Sequence, residues 1–468
     1  MTRADFLAKS FAEAFQFEPT PCQDAFFKQA AEFLSSDDGD IFVVNGYAGT
    51  GKTSAVAAVI NALREMRIKT VLMAPTGRAA KVLSRFSGKQ AQTIHKVIYR
   101  QKSVGAGGVA TFSLNRNEFK NTLFVVDEAS LIGIDAQGGN SLFGSGNLLE
   151  DLVTFLRAGT DCRLIMLGDS AQLPPVGMDE SPALDHSYME GFGGVRFCTL
   201  STVVRQAEKS GILRNATALR CNLGAGRLKL FLRDFPDIER VSGENLIDAI
   251  TSAYDKYGED ETIVLCRSNK RAIRYNLGIR ATVQYKEERL LRGDALMIVK
   301  NCYQFLPEES PMGYIANGDV ARLVRISGYE ERYGLHFATA TLAFPDYDDL
   351  EVKAKVCLDT LESESASLTP EQQNALYEGV DADYSHISAR KKRYEAVRED
   401  PFYNALQLKY AQAVTCHKAQ GGQWDCVFID CPFWGQELSE DDLKWMYTAL
   451  TRAVKKVYLV DFPDSCFE

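Results

Sequence analysis

The sequence predicts an α/β architecture: two doubly wound domains on parallel sheets, with a small β-barrel inserted into the second. Three observations predict it. Continuous apolar runs alternate with turns and helical segments from 41 to about 200. A second set of such runs starts near 202, and a stretch of alternating apolar and polar residues interrupts that second set. At 468 residues the chain is also too long for one ordinary domain.

In the first set, IFVVN (41–45), TVLMAP (70–75), LFVVD (123–127) and RLIMLGD (163–169) are short apolar strands of the kind buried on both sheet faces. SAVAAVINALREM (54–66) has helical periodicity and length. The first domain is expected over 1–200, with ligands beyond the carboxyl ends of its strands. TIVLCRS (262–268), CVFIDCP (426–432) and VYLVDF (457–462) read as strands of a second domain, over 201–311 and 402–468. DVARLVRI (319–326) and HFATATLAF (336–344) alternate as antiparallel strands do, and a polar helical stretch follows over 369–397. The inserted barrel with its helical extension is therefore expected over 312–401.

Composition sets the class. Hydrophobic residues make up 46% and charged residues 25%, the balance of a globular protein. The opening MTRADFLAKSFAEAF is neither a secretory signal nor an anchor, and no run approaches the roughly 20 apolar residues of a membrane span. The 11 cysteines form no C-x-x-C pair and have no histidine at zinc spacing, which implies thiols in a reducing, cytoplasmic compartment. The net charge of −9 is concentrated in 346–383, where 11 acidic residues face only Lys353 and Lys355. The rest of the chain is neutral and can hold a local basic groove for phosphates.

GYAGTGKT (46–53) fits the phosphate-binding pattern G-x-x-x-x-G-K-[ST] between a strand and a helix. Backbone N–H groups over Gly46, Ala48, Gly49, Thr50 and Gly51 can wrap phosphates, and Ser54 lies in the first turn of the helix that follows. Lys52 would reach the outer phosphates and Thr53 would ligate Mg²⁺. Asp127 and Glu128 end an apolar strand as a Walker B pair should. Asp127 would hold Mg²⁺, and Glu128 would take the proton of an attacking water. ATP and Mg²⁺ are the expected ligands, with hydrolysis as the outcome. These motifs alone define a P-loop NTPase and no more.

Further segments narrow the class. APTGRAAK (74–81), TIHK (93–96), DEAS (127–130), GDSAQLPPV (168–176), VVRQ (203–206), TCHKAQGGQWD (415–425) and YTALTRA (447–453) follow in order, each beginning at a suitable strand end. That succession resembles the superfamily 1 helicases, most closely their RecD-like and Dda-like group, which moves 5′ to 3′. The resemblance runs from Gln23 to Ala453 and implies two RecA-like motor domains. It implies that Gln23 reads adenine, that Gln172 senses the γ-phosphate, and that Arg205 and Arg452 are arginine fingers from the second domain. Pro75, Thr76, Thr93 and His95 match strand-contacting positions of the first domain, and Thr415 and His417 match those of the second. Such hydroxyl and imidazole groups can bond phosphates without fixing sequence.

Two departures stand out. Gln423 stands where the family often has Glu, so it can bond a ribose hydroxyl but brings no charge. GIDAQGGNSLFGSGN (133–147) is longer than the usual connection and has no assigned role. YRQKSVGAGGVATFSLN (99–115) reads as a β-hairpin within 97–121. It falls where the family carries a strand-splitting pin, with Phe112 as its wedge aromatic. With no large N-terminal region ahead of Gln23, the chain reads as a compact monomeric motor. Its expected partners are single-stranded and forked duplex DNA and replication or repair proteins, and no membrane. The alternatives are an ATPase that remodels protein–nucleic acid complexes without separating strands, and a non-motor subunit with a structural ATP site. The set Lys52, Glu128, Gln172, Arg205 and Arg452 weighs against the latter.

Overall fold

The computed structural model describes residues 2–101, 112–134, 144–204, 209–223, 228–307, 310, 312–433 and 438–468. Helices α1 (Arg3–Ala14) and α2 (Pro21–Ser35) each open on a capping box, Thr2 with Asp5 and Thr20 with Gln23. There follow β1 (Ile41–Gly46), α3 (Lys52–Glu65), β2 (Lys69–Ala74), α4 (Gly77–Ser87), β3 (Ala91–Thr93) and α5 (Ile94–Ile98). A short antiparallel pair, β4 (Tyr99–Gln101) and β5 (Phe112–Leu114), leads to β6 (Thr122–Val126), α6 (Leu148–Arg157), β7 (Arg163–Gly168), α7 (His186–Glu190) and β8 (Val195–Leu200).

Six of these strands form a parallel sheet in the order β3-β2-β6-β7-β1-β8. Its interior strands are apolar because both faces are covered. Phe42, Val44, Val125 and Ile165 pack with α1, α2 and α3, while Ile41, Val43, Val126 and Met166 pack with α5 and α6.

The second half runs α8 (Gly211–Cys221), β9 (Ile238–Val241), α9 (Leu246–Tyr257), β10 (Thr262–Cys266) and α10 (Asn269–Thr282). Barrel strands β11 (Ala295–Ile298), β12 (Val320–Arg332), β13 (Leu335–Phe344) and β14 (Leu350–Cys357) come next, then α11 (Pro370–Asp383), α12 (Arg390–Glu399) and β15 (Leu406–Tyr410). The chain returns through β16 (Ala413–Thr415), β17 (Trp424–Asp430), α13 (Glu440–Leu450) and β18 (Ala453–Val460). The second parallel sheet has the order β16-β10-β17-β18-β9, with α8 and α13 over one face and α9 and α10 over the other.

The barrel β11-β12-β13-β14-β15 is closed. It takes its first and last strands from outside the expected 312–401. ALMI and LQLKY are short and mostly buried, so they carry the same apolar signature as strands of the flanking parallel sheet. Helices α11 and α12, with Phe402 just after them, pack on the outer part of the barrel through Leu376, Val380 and Val397 against Leu335 and Phe337. The turn Pro345–Tyr347 leaves the barrel and meets the first domain. There the Lys81 ammonium donates to the Pro345 carbonyl at 2.5 Å and pairs with Asp346 at 3.6 Å. Among the described residues, no helix is long and apolar enough to cross a membrane.

Candidate active site

The phosphate loop follows β1, next to the edge strand β8, at the first sheet's carboxyl edge. Gly49 and Gly51 adopt left-handed φ values of 74° and 70°. A side chain at Gly51 would collide with the Gln23 amide, 2.6 Å from its Cβ position. The Lys52 ammonium donates to the Gly46 carbonyl at 3.1 Å, folding back over its own loop. Thr53 and Ser54 lie in the first turn of α3.

Asp127 lies just beyond β6 and is buried. Burial, then the neighbouring Glu128, push its carboxyl up to about 6, against the pull of Lys52. Glu128 has a left-handed φ of 54°, a strained setting for a side chain, and its Oε2 is buried with no hydrogen-bond partner among the described residues. Gln172 is also buried, and its Oε1 likewise has no partner among the described residues. Unsatisfied polar atoms are costly and rare in a folded interior. Asp127 and Asp169, beside them in the chain, both feel the charge of Lys52.

The second domain closes over this edge. The Ala48 N–H donates to the Tyr447 hydroxyl at 2.8 Å, and that hydroxyl donates to Asp169 Oδ2 at 2.7 Å. One residue on, the Thr448 hydroxyl accepts from the Leu173 N–H at 2.8 Å, while Gln420 Nε2 donates to the Leu173 carbonyl at 2.6 Å. Leu213 of α8 lies against Gly49, and the Arg220 guanidinium sits 4.3 Å from the Tyr47 ring centre. Arg78 of α4 stacks on Trp424 at 3.8 Å and donates to the Gln423 carbonyl at 3.3 Å.

Arg452 is buried and donates to the carbonyls of Thr448 and Gly422, each at 3.2 Å, beside this interface. Arg205 lies outside the described residues. Gln23 is fully buried: its amide donates to the Thr50 carbonyl at 2.9 Å and its oxygen accepts from the Thr20 N–H. It braces the phosphate loop with both ends of its amide occupied. The Gln423 side chain is exposed.

Pro75 and Thr76 sit between β2 and α4, and the Thr76 hydroxyl accepts from the Ala79 N–H as the helix cap. Thr93 caps α5 in the same way through the Lys96 N–H. Thr415 ends β16, and His417 follows in an exposed position. His95 belongs to an aromatic cluster, 5.6 Å from the Tyr99 ring and 6.1 Å from that of Tyr314. Burial pushes its imidazole down to about 4, so the ring is neutral. Phe112 joins the same cluster, 5.3 Å from the Tyr303 ring and 6.3 Å from that of Tyr314. It therefore anchors the base of the expected hairpin to the second half of the chain. Residues 102–111 of that hairpin and 135–143 of the glycine-rich stretch lie outside the described residues.

Sequence reasoning passed over Tyr447, Thr448, Gln420 and Arg78 as site residues. The signal was present: α13 (EDDLKWMYTAL) buries Tyr447, Thr448 and Lys444 among apolar neighbours, and buried polar side chains need partners.

A phosphate loop and an acidic strand end in one RecA-like domain, capped by a second such domain, define a two-domain P-loop NTPase. The chain matches the AAA domain family over residues 25–231 and the UvrD-like helicase C-terminal domain over 410–460. These matches and the relatives below support a superfamily 1 helicase of the RecD-like and Dda-like kind.

It is 30% identical over 201 residues to the ATP-dependent RecD2 DNA helicase of Deinococcus radiodurans, covering 41% of this chain and 24% of that one. To the ATP-dependent DNA helicase dda of Enterobacteria phage T4 it is 24% identical over 452 residues, covering 89% and 93%. The Pif1 helicase from Bacteroides, in a crystal structure with ADP-AlF3 and ssDNA, shares 15% identity over 97% of this chain and 95% of that one, at a TM-score of 0.46. The chain spans 36% or less of the length of the longer relatives it matches.

Proposed function

We propose that the chain is an ATP-dependent DNA helicase that moves 5′ to 3′ on single-stranded DNA and unwinds duplex as a cytoplasmic, monomeric motor. One observation carries the reading: a single buried hydroxyl, that of Tyr447, joins the phosphate loop, Asp169 and the second domain. Any change at the phosphates is thereby transmitted to the domain that must move.

The residues present fit ATP with Mg²⁺. Glu128 Oε2 and Gln172 Oε1 are buried and have no partner among the described residues. Thr53 and Asp127 would hold the ion, too few ligands for an all-protein cage and suited to Mg²⁺ shared with phosphates. When bound, Mg²⁺ neutralises charge on the phosphate oxygens. Lys52 exchanges the Gly46 carbonyl for a phosphate. Glu128 takes the proton from water at its free oxygen, and Gln172 orients that water or the γ-phosphate. Arg452 and Arg205 offer planar, permanent charge to the transferring group. Gln23 reads adenine only after releasing Thr20 or Thr50, so nucleotide entry and loop bracing compete for one amide. Gln423 supplies an uncharged contact to the ribose.

The DNA strand runs over Pro75, Thr76, Thr93, Thr415 and His417. Each capping threonine accepts a backbone N–H bond and keeps its own O–H to donate to a phosphate. His95 adds at most a neutral hydrogen bond. Closure and opening of the cleft alternate the grip of the two domains and produce steps.

The test is ATPase activity with and without single-stranded DNA, then unwinding of duplexes carrying one 5′ or one 3′ tail. DNA-stimulated turnover with unwinding from the 5′ tail supports the reading. Unwinding from the 3′ tail overturns the direction. Turnover without unwinding of either substrate would indicate a translocase that remodels complexes.

A further inference from the structure

The barrel's helical extension carries a feature that ATP hydrolysis and strand tracking do not use. Helix α12 begins with four consecutive cations, Arg390, Lys391, Lys392 and Arg393. Arg393 is tied to Asp381 of α11, with Nε 2.6 Å from Oδ1. Arg390, Lys391 and Lys392 are exposed, and none has an ion pair or side-chain hydrogen bond among the described residues. They stand out against a strongly acidic neighbourhood, since the preceding 346–383 holds 11 carboxylates. The helix is fixed in place: Val397 is fully buried against Leu376, Val380 and Phe402, a cluster to which neither motor sheet contributes.

Its position gives the face a use. At the far end of α12, the Arg398 carbonyl accepts from Gln304 Nε2 at 2.8 Å. The residue before Gln304, Tyr303, packs on Phe112 at the base of the expected strand-splitting hairpin. Lys300, three residues earlier, reaches Gln373 of α11 at 3.2 Å. A helix of ten residues is about 15 Å long. The free cations therefore stand about one helix length from the Gln304 contact, on the element that braces the segment packed against Phe112. Double-stranded DNA presents one negative charge per about 1.7 Å of axis, so three exposed cations on long, flexible side chains at one helix end find several phosphates within reach.

We infer that Arg390, Lys391 and Lys392 grip the phosphate backbone of the duplex entering the molecule, ahead of the point where its strands separate. The inference rests on the helicase reading above. The cations offer no base-reading geometry, so the grip is independent of sequence. Holding the duplex beside the hairpin orients the junction and slows its loss between steps.

The test replaces all three residues together (Arg390→Ala, Lys391→Ala, Lys392→Ala) and compares affinities for forked duplex and single-stranded DNA across salt concentrations. The expected result is that the fork's log–log salt slope falls by about two to three, about 0.9 per lost phosphate contact. Fork affinity falls about tenfold at physiological salt, while single-strand affinity and DNA-stimulated ATPase activity stay at wild-type values. A second variant that keeps the charges (Arg390→Lys, Lys391→Arg, Lys392→Arg) retains fork affinity. Equal loss on fork and single strand would place the face on the tracked strand and overturn the inference. So would an unchanged fork slope, including the case in which these cations hold an acidic protein. Absence of single-strand-stimulated ATPase in the wild type would instead remove the helicase reading on which the inference stands.

Discussion

The Tyr447 hydroxyl, on the last helix of the second domain, donates a 2.7 Å hydrogen bond to Asp169 at the carboxyl edge of the first domain's sheet. Burial holds the phenol well above its ordinary range, so it stays protonated, and the same oxygen accepts the Ala48 N–H of the phosphate loop. Tyr447→Phe leaves Asp169 Oδ2 and the Ala48 N–H without this partner in a buried setting, at a cost of about 1–3 kcal/mol per group. The thermal midpoint should drop by several degrees, and DNA-stimulated ATPase activity should fall about tenfold or more. Differential scanning fluorimetry beside a coupled ATPase assay checks both. A variant with wild-type stability and turnover would show the bridge to be dispensable.

Lys52→Ala should abolish hydrolysis, because a methyl group cannot balance phosphate charge. Glu128→Gln should bind ATP yet turn over very slowly, because an amide cannot accept the water's proton. Nucleotide affinity from a fluorescent analogue, set against steady-state turnover, separates the two defects. Near-normal turnover in either variant would sink the assignment.

Arg452 is held by carbonyls of Thr448 and Gly422, so truncating it also strips a buried interface. Arg452→Lys is the cleaner change, since it keeps the charge and loses the planar fork. Hydrolysis should slow on the order of a thousand-fold with nucleotide affinity little altered. A loss of only a few-fold would mean that the finger lies elsewhere, with Arg205 the next to test.

His95 gives a pH signature. Its imidazole falls from the ordinary 6.5 to about 4 through burial. The unfolded chain binds this proton below about 6.5, the folded chain only below about 4. Stability from the neutral ring is therefore complete above pH 6.5 and is lost as pH falls toward 4, about 3 kcal/mol in all. His95→Gln should flatten that part of the profile. Urea midpoints at pH 7 and pH 4.5 for both proteins measure it, and parallel profiles would contradict the assignment.

Phe112 links the hairpin base to Tyr303 and Tyr314. Opening one base pair costs about 1.4 kcal/mol of stacking, so a wedge must be held rigidly to resist the strand it deflects. Phe112→Ala should leave DNA-stimulated ATPase activity near normal and lower unwinding several-fold. The ratio of base pairs opened to ATP consumed is the measurement, and an unchanged ratio would detach this ring from strand separation.

The limits of sequence reading follow from sheet position. Interior strands β1, β2, β6 and β7 of the first sheet and β10, β17 and β18 of the second were legible because burial on both faces makes them uninterrupted apolar runs. The four edge strands β3, β8, β9 and β16 were not. VRFCTL and IERV keep polar residues where one side meets solvent or a loop, so no run forms. At the site, the phosphate loop and Asp127–Glu128 were legible because local spacing fixes them. The Ala48–Tyr447–Asp169 bridge joins residues up to 399 apart in sequence, a separation that no local pattern reports.

The turn Pro345–Tyr347 has a mechanical consequence. With Tyr347 filling the space above Gly77 and Lys81 bonded to the Pro345 carbonyl, the inserted barrel rests on the first domain as a second foot, away from the nucleotide. A body standing on two feet rocks instead of swinging freely. Each stroke must then load or lift this one, and dyes placed on the turn and on α4 would count strokes without disturbing the site that drives them. A side chain at Gly77, whose Cβ would lie 2.5 Å from the Tyr347 hydroxyl, would act as a shim beneath that foot and tilt the rest position of the whole lever.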